Sequence, residues 1–221
     1  MLPDLAGCDC ATGTEIMDIR IGIGFDSHEF KPGVPLRIGG MTLDHPAGLA
    51  GHSDGDVLLH AITDALLGSV AAGDIGSFFP PGDPRWKDAD SAIFLNLAIE
   101  EIENAGYRIV NIDTTLILAA PKIAPIAGEM CSRVADLLGV EINQVSIKAK
   151  TPEGLSLDHV AQCHAVVLVE RAQEPEELKS MEAVIESQRQ LEDVVDDLLA
   201  SVHGVPKKRT ITPVYDTEDI T

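Results

Sequence analysis

Positive charge is scarce in this chain. Its 221 residues carry 16 Lys and Arg against 36 Asp and Glu, a formal net charge of −20 at pH 7. No basic stripe is present to neutralise a polymer of phosphates, which argues against nucleic acid as a partner. A small anionic substrate would instead need local cations, which a bound metal and a few placed lysines can supply. Long apolar runs are also missing, and none approaches the ~20 residues of a membrane helix. Residues 1–17 are acidic and lack the Arg-rich or long apolar stretch of a transit or secretory peptide. The four cysteines therefore do not imply a disulfide framework, and a reducing, cytoplasmic setting is expected. Cys131 and Cys163 read as buried small hydrophobes, while Cys8 and Cys10 belong to the leader.

With 45% hydrophobic residues, a chain of this length can build one full core. Residues 1–17 are expected to form a mobile leader, with Met17 as an alternative start. Residues 18–171 interleave strand-like and helix-like segments. Strands are expected at 19–25, 35–38, 41–43, 108–119, 145–149 and 163–171. Helices are expected at 54–71, capped by Ser53 or Asp54, at 91–105 before Gly106, and at 123–138 before Gly139. This order argues for an α+β fold, a two-layer sandwich of one mixed β-sheet covered by helices. Residues 172–221 differ: a dense acidic helical pattern runs from 174 to 203, then a stretch without periodicity. Met181, Val184, Gln188, Leu191, Val195, Leu198 and Val202 are spaced like a coiled-coil seam. Ile185, Val194 and Leu199 widen that stripe, which also suits packing on the helix's own subunit.

The chemistry starts at Arg20–His28, where an apolar run ends in two glycines and then presents Asp26 and His28. In an extended backbone these two side chains point to the same side. His60 follows inside a helical segment, and one carboxylate with two histidines is a set that holds zinc with a fourth position open. His60 also reads as a helix histidine satisfied by Asp56 or Asp64, one turn either side. The same two carboxylates would orient it if it were a ligand. His52 reads as a residue ahead of a helix cap, Glu153 as a turn carboxylate and Lys122 as a solvated side chain.

Taken in order, several motifs resemble the 2-C-methyl-D-erythritol 2,4-cyclodiphosphate synthase family. They are Arg20–His28, Gly51–Asp56, His60–Gly68, Gly73–Gly76, Phe79-Pro80, Ala120-Pro121-Lys122 and Lys148–Glu153. The resemblance implies a homotrimer with sites between subunits, zinc plus magnesium or manganese, and release of CMP from a cytidine-diphospho substrate. It implies zinc on Asp26, His28 and His60, and the second metal on Glu153. His52 and Thr151 would act catalytically by steadying the phosphates. Ser27, Ser53, Lys150, Pro152 and Leu157 would join them in lining the substrate site. Asp74, Ile75 and Gly76, then Phe79, Pro80, Pro81, Gly82 and Asp83, would line the methylerythritol pocket. Leu118, Ala119, Ala120, Pro121, Lys122, Ile123 and Ala124 would read cytosine, largely through backbone groups.

Two departures stand out. Ile23 replaces a histidine of the first motif. After Leu155 the chain runs through Ser156–Gln162, shorter by a few residues and without the arginine that family members use to gather phosphates. A weaker, salt-sensitive enzyme is expected, unless Arg37 or Arg85 stands in. Two other readings stay open: a different zinc-dependent phosphoesterase on the same scaffold, and a non-catalytic trimeric scaffold.

Overall fold

The computed structural model describes residues 18–80, 82–173 and 176–203. The leader with its cysteines, Pro81 and the segment after His203 lie outside the described residues. The chain divides into two units, one through Ala172 and one from Gln173.

The first unit is built on β1 (Ile19–Pro32), β2 (Leu36–Ile38), β3 (Met41–Leu43), β4 (Ala47–Leu49), β5 (Tyr107–Ile117), β6 (Val145–Lys150) and β7 (Val160–Arg171). Five of these form one mixed sheet in the order β4-β1-β7-β5-β6, with β5 and β6 parallel and the other pairs antiparallel. β2 and β3 make a separate hairpin. The helices are α1 (Val57–Ser69), α2 (Ile75–Phe78), α3 (Ser91–Asn104) and α4 (Ala127–Leu138). α1 packs on β1 and β7, α3 on α1 and β5, and α4 on β6. One sheet under one helical layer is the α+β architecture the alternation implied.

In the first half of β1 the apolar side chains, Ile19 to Phe25, point away from the helices. Ile21 is 68% exposed and Ile23 73%, whereas Gly22 and Gly24 face α1 and are buried. A Cβ on Gly22 would lie 1.7 Å from the Ala65 carbonyl oxygen, and one on Gly24 1.9 Å from that of Ala61. Bare backbone on this face lets α1 lie directly on the strand.

Several boundaries differ from expectation. Asp56, not Ser53 or Asp54, caps α1, accepting from the Leu58 and Leu59 amides at 3.2 and 3.0 Å. Its carboxylate also accepts from Gly39 and Gly40, at 2.9 and 2.7 Å, and so ties the β2–β3 turn to the helix start. A fully buried carboxylate with four amide donors outcompetes the more exposed candidates before it. α4 starts at Ala127 because Pro125 keeps residues 124–126 in a 3₁₀ turn. β1 runs on to Pro32, paired with β4 and β7, and β7 begins at Val160, three residues early. β5 covers Tyr107–Ile117 rather than 108–119. Cys163 is buried as expected, but Cys131 is only half-buried.

The second unit holds α5 (Glu176–His203). Val184, Ile185, Leu191, Val194, Val195 and Leu199 are exposed along it. No helix among the described residues is long and apolar enough to cross a membrane.

Candidate metal centre

β1 and α1 position the site. Asp26 and His28 alternate with outward-facing residues on β1, so both point to the helix side, while Ser27 is exposed on the other. His60 sits in the second turn of α1, and the Asp56 cap sets the start of that helix. His28 Nε2 lies 2.8 Å from Asp26 Oδ2, His60 Nδ1 lies 2.9 Å from the same oxygen, and the two nitrogens are 3.1 Å apart. No other described His, Cys, Asp or Glu joins this cluster.

The electrostatics follow from partial burial. Burial would raise the Asp26 carboxyl, but hydrogen bonds and charge from His28 and His60 hold it well below the ordinary range. Burial would lower His28, yet the bond to Asp26, its charge and a hydrogen bond with the Ala50 backbone raise it overall. The attraction therefore stabilises metal-free protein while Asp26 is ionised and His28 protonated. Asp26's share is lost as pH falls below the ordinary aspartate value of 3.8, and His28's as pH rises beyond 6.5. With chelator present, the melting-temperature advantage of wild type over Asp26→Asn is expected to shrink between pH of about 6 and about 8. An advantage that grew with pH would contradict this sign.

The donor set fits zinc. Nitrogen and oxygen ligands at roughly 2.0–2.1 Å around a tetrahedral ion stand about 3.3 Å apart, so small outward shifts of these three atoms would admit it. The far side of His60 has partners that the sequence did not suggest. Its Nε2 lies 3.0 Å from Ser53 Oγ and 2.9 Å from Ser91 Oγ, and the Ser91 hydroxyl donates to Asp54. Asp56 and Asp64, expected beside His60, are engaged elsewhere. Asp56 serves the α1 terminus, and Asp64 accepts from the Ile75 amide at 2.8 Å. Ser91 was missed because it opens α3, 31 residues after His60, with no local signal tying the two.

The remaining candidates line up at varying remove. Phe94 links His60 at 6.0 Å, ring centre to ring centre, to Phe79 at 4.4 Å, and Trp86 lies 4.8 Å from Phe79. Asp74 caps α2 through the Ser77 amide, just ahead of Ile75 and Gly76. Pro80 and Gly82 continue to Asp83, whose carbonyl oxygen is 3.2 Å from Nε2 of the exposed His52. At the end of β6, Thr151 Oγ1 donates to Glu153, apart from the three-residue cluster. Pro152 is buried there and Leu157 half-buried. The Leu118 amide donates to the Lys150 carbonyl at 3.1 Å. Ala119, Ala120, Lys122 and Ala124 are exposed, the bond before Pro121 is cis, and Ile123 is buried. Arg85 is bound by Asp83 at 2.6 Å. Arg37 stands 4.0 Å from Asp54, in a cleft of about 530 Å³ that reaches Ser53 on the Nε2 side of His60.

Comparison with known proteins covers most of the first unit. Residues 19–170 match the YgbB family. The 2-C-methyl-D-erythritol 2,4-cyclodiphosphate synthase of Koribacter versatilis is 63% identical over 153 residues, 69% of this chain and 99% of that protein. The enzyme of the same name from Chlorobaculum tepidum is 52% identical over 157 residues, 70% of this chain and 100% of that one. Among solved structures, a 2-C-methyl-D-erythritol 2,4-cyclodiphosphate synthase with CDP bound matches with TM-score 0.65 and 38% identity, over 68% of this chain and 99% of that one. The Plasmodium falciparum IspF–CDP complex matches with TM-score 0.63 and 33% identity, over 71% of this chain and 98% of that one.

Proposed function

The chain belongs to the YgbB family, and we propose that it cyclises 4-cytidine-diphospho-2-C-methyl-D-erythritol 2-phosphate to 2-C-methyl-D-erythritol 2,4-cyclodiphosphate with release of CMP, a step of non-mevalonate isoprenoid synthesis. An oxygen of the 2-phosphate attacks the β-phosphorus, and the bond from that phosphorus to the bridging oxygen breaks as CMP leaves with the oxygen. Little covalent work falls to the protein, so positioning and charge neutralisation must do most of it. The observation that carries this reading is the convergence of Asp26, His28 and His60 on one point of a family-matched scaffold. These three residues would hold zinc, which polarises a phosphate oxygen when bound. Glu153 would take magnesium or manganese, a hard cation suited to a carboxylate. His52 and Thr151 would steady the phosphates, the 74–83 segment the methylerythritol end and the 118–124 segment the cytosine. The test is CMP release from the purified chain. Turnover of generic phosphoesters without CMP from this substrate would favour a different phosphoesterase.

The assembly we infer is a cytoplasmic homotrimer. The open sheet face of Ile21, Ile23, Phe25 and Val166 supports it, since an apolar face of this kind is otherwise left in water. Residues 172–221 are an added segment, because the family match ends at 170. In α5, Glu186, Asp193, Asp196 and Asp197 fall outside the heptad seam, and Gln188 is its polar member. Deleting residues 175–221 is expected to leave a trimer with unchanged CMP release. A truncated chain that sediments as a monomer would assign the assembly to α5.

A further inference from the structure

The heptad register of α5 determines what can cover it. With Met181 at position a, Gln188, Val195 and Val202 follow at a, and Val184, Leu191 and Leu198 fall at d. Ile185 and Leu199 then occupy e and Val194 occupies g, positions that a two-stranded coil usually gives to charged residues. Leu191 at d is 65% exposed and Val194 at g 55%, so the stripe in water is wider than an a/d seam. The charges avoid it. Glu182, Arg189 and Asp196 stand at b, Asp197 at c, and Glu186 and Asp193 at f. In a parallel coil each g residue faces the e residue five places on in its neighbour. That sets Val194 against Leu199 and Ser187 against Glu192, so neither pair brings two acids together.

We propose that α5 packs against two further copies of itself as a parallel three-stranded coiled coil. Gln188 decides between this and packing on the helix's own subunit. Mid-stripe against an apolar surface, its amide would lose water and gain no partner. At the axis of a parallel bundle, three Gln188 side chains share one layer, hydrogen-bond one another and hold the register. The e and g residues decide the strand number. Valine at a with leucine at d suits two strands by itself, but two strands would leave Ile185, Val194 and Leu199 at the edge of water. The tether favours three as well. Residues 172–175 alone join β7 to α5, so a trimeric body holds three copies at roughly millimolar effective concentration. For its strand number the inference rests on the homotrimer reading.

The test uses the full-length chain carrying Cys8→Ser and Cys10→Ser, so that the leader thiols do not compete with an added cysteine. Leu191→Cys, at d, is treated with a tris-maleimide whose three arms couple three thiols. Val184→Cys repeats the reading one heptad earlier, and Asp193→Cys, at the outward f position, is the control. Both d-position variants are expected to give a covalent trimer on a denaturing gel, at about tenfold the yield of the control. Adding Gln188→Glu to Leu191→Cys puts three like charges into one layer and should cut that yield at least about fivefold at neutral pH. The proposal is overturned if the d-position variants couple no better than Asp193→Cys, if coupling stops at dimers, or if Gln188→Glu leaves the yield unchanged. Sedimentation of the full-length chain separates this from the assembly reading. A trimer that does not cross-link overturns the coil alone, and a monomer or dimer overturns both. A covalent trimer from a chain that becomes monomeric on deletion of residues 175–221 supports the coil and removes the assembly from the catalytic body.

Discussion

His60→Ala should release CMP at less than about one-thousandth of the wild-type rate and should purify without zinc. The variant keeps Asp26 and His28, but two ligands with water do not make the closed three-residue set that a catalytic zinc requires. It also removes the ring whose two nitrogens join the metal side to the Ser53–Ser91 side. His60 is buried beside Phe94, so a stability cost of about 1–3 kcal/mol is expected from the cavity. That cost leaves a folded protein, and circular dichroism with a thermal melt separates it from the loss of rate. A folded His60→Ala protein with wild-type turnover would remove the metal mechanism.

Gly24→Val should have the largest effect on the fold. Even the first carbon of the new side chain would lie 1.9 Å from the Ala61 carbonyl oxygen and 2.7 Å from the Ala65 amide nitrogen. Both are backbone atoms of α1, so no side chain can turn aside, and helix and strand must separate. Overpacking against rigid backbone costs about 3 kcal/mol or more. The same separation would pull Asp26, two residues on, away from His60. Urea denaturation is expected to show insoluble or strongly destabilised protein, with zinc binding lost in any soluble fraction. Near-wild-type stability would mean that α1 does not lie against β1 as described.

How much of this was legible depended on whether the cause was local. The Asp26–His28 pair was readable because strand alternation alone puts both on one side. The same alternation misleads about burial on β1, where Ile21 and Ile23 face out and glycines face in. Hydrophobicity identifies a strand, but only the approach of α1 decides which face it covers. Asp56 was not readable as the cap because two of its four donors, Gly39 and Gly40, come from a turn 16 and 17 residues upstream. The four-residue α2 and three-residue β4 are too short for any periodicity to show. Around His60 the sequence offered carboxylates one turn away, since those are the neighbours a helix implies. The actual partners, Ser53 and Ser91, arrive from a loop and from another helix. The missing arginine after Leu155 was visible as an absence. Its possible replacements, Arg37 and Arg85, were legible too, and so was the Asp83 two residues before Arg85 that binds it; only the placing of Arg37 beside Asp54 and Asp90 needed the tertiary structure.

The most direct measurement is a ³¹P NMR time course of the full-length, zinc- and magnesium-supplied protein with 4-cytidine-diphospho-2-C-methyl-D-erythritol 2-phosphate. The account predicts that CMP and the cyclic diphosphate grow together in equal amounts, with no inorganic phosphate. It is contradicted if the substrate persists unchanged, or if CMP appears with an open-chain phosphorylated product in place of the ring.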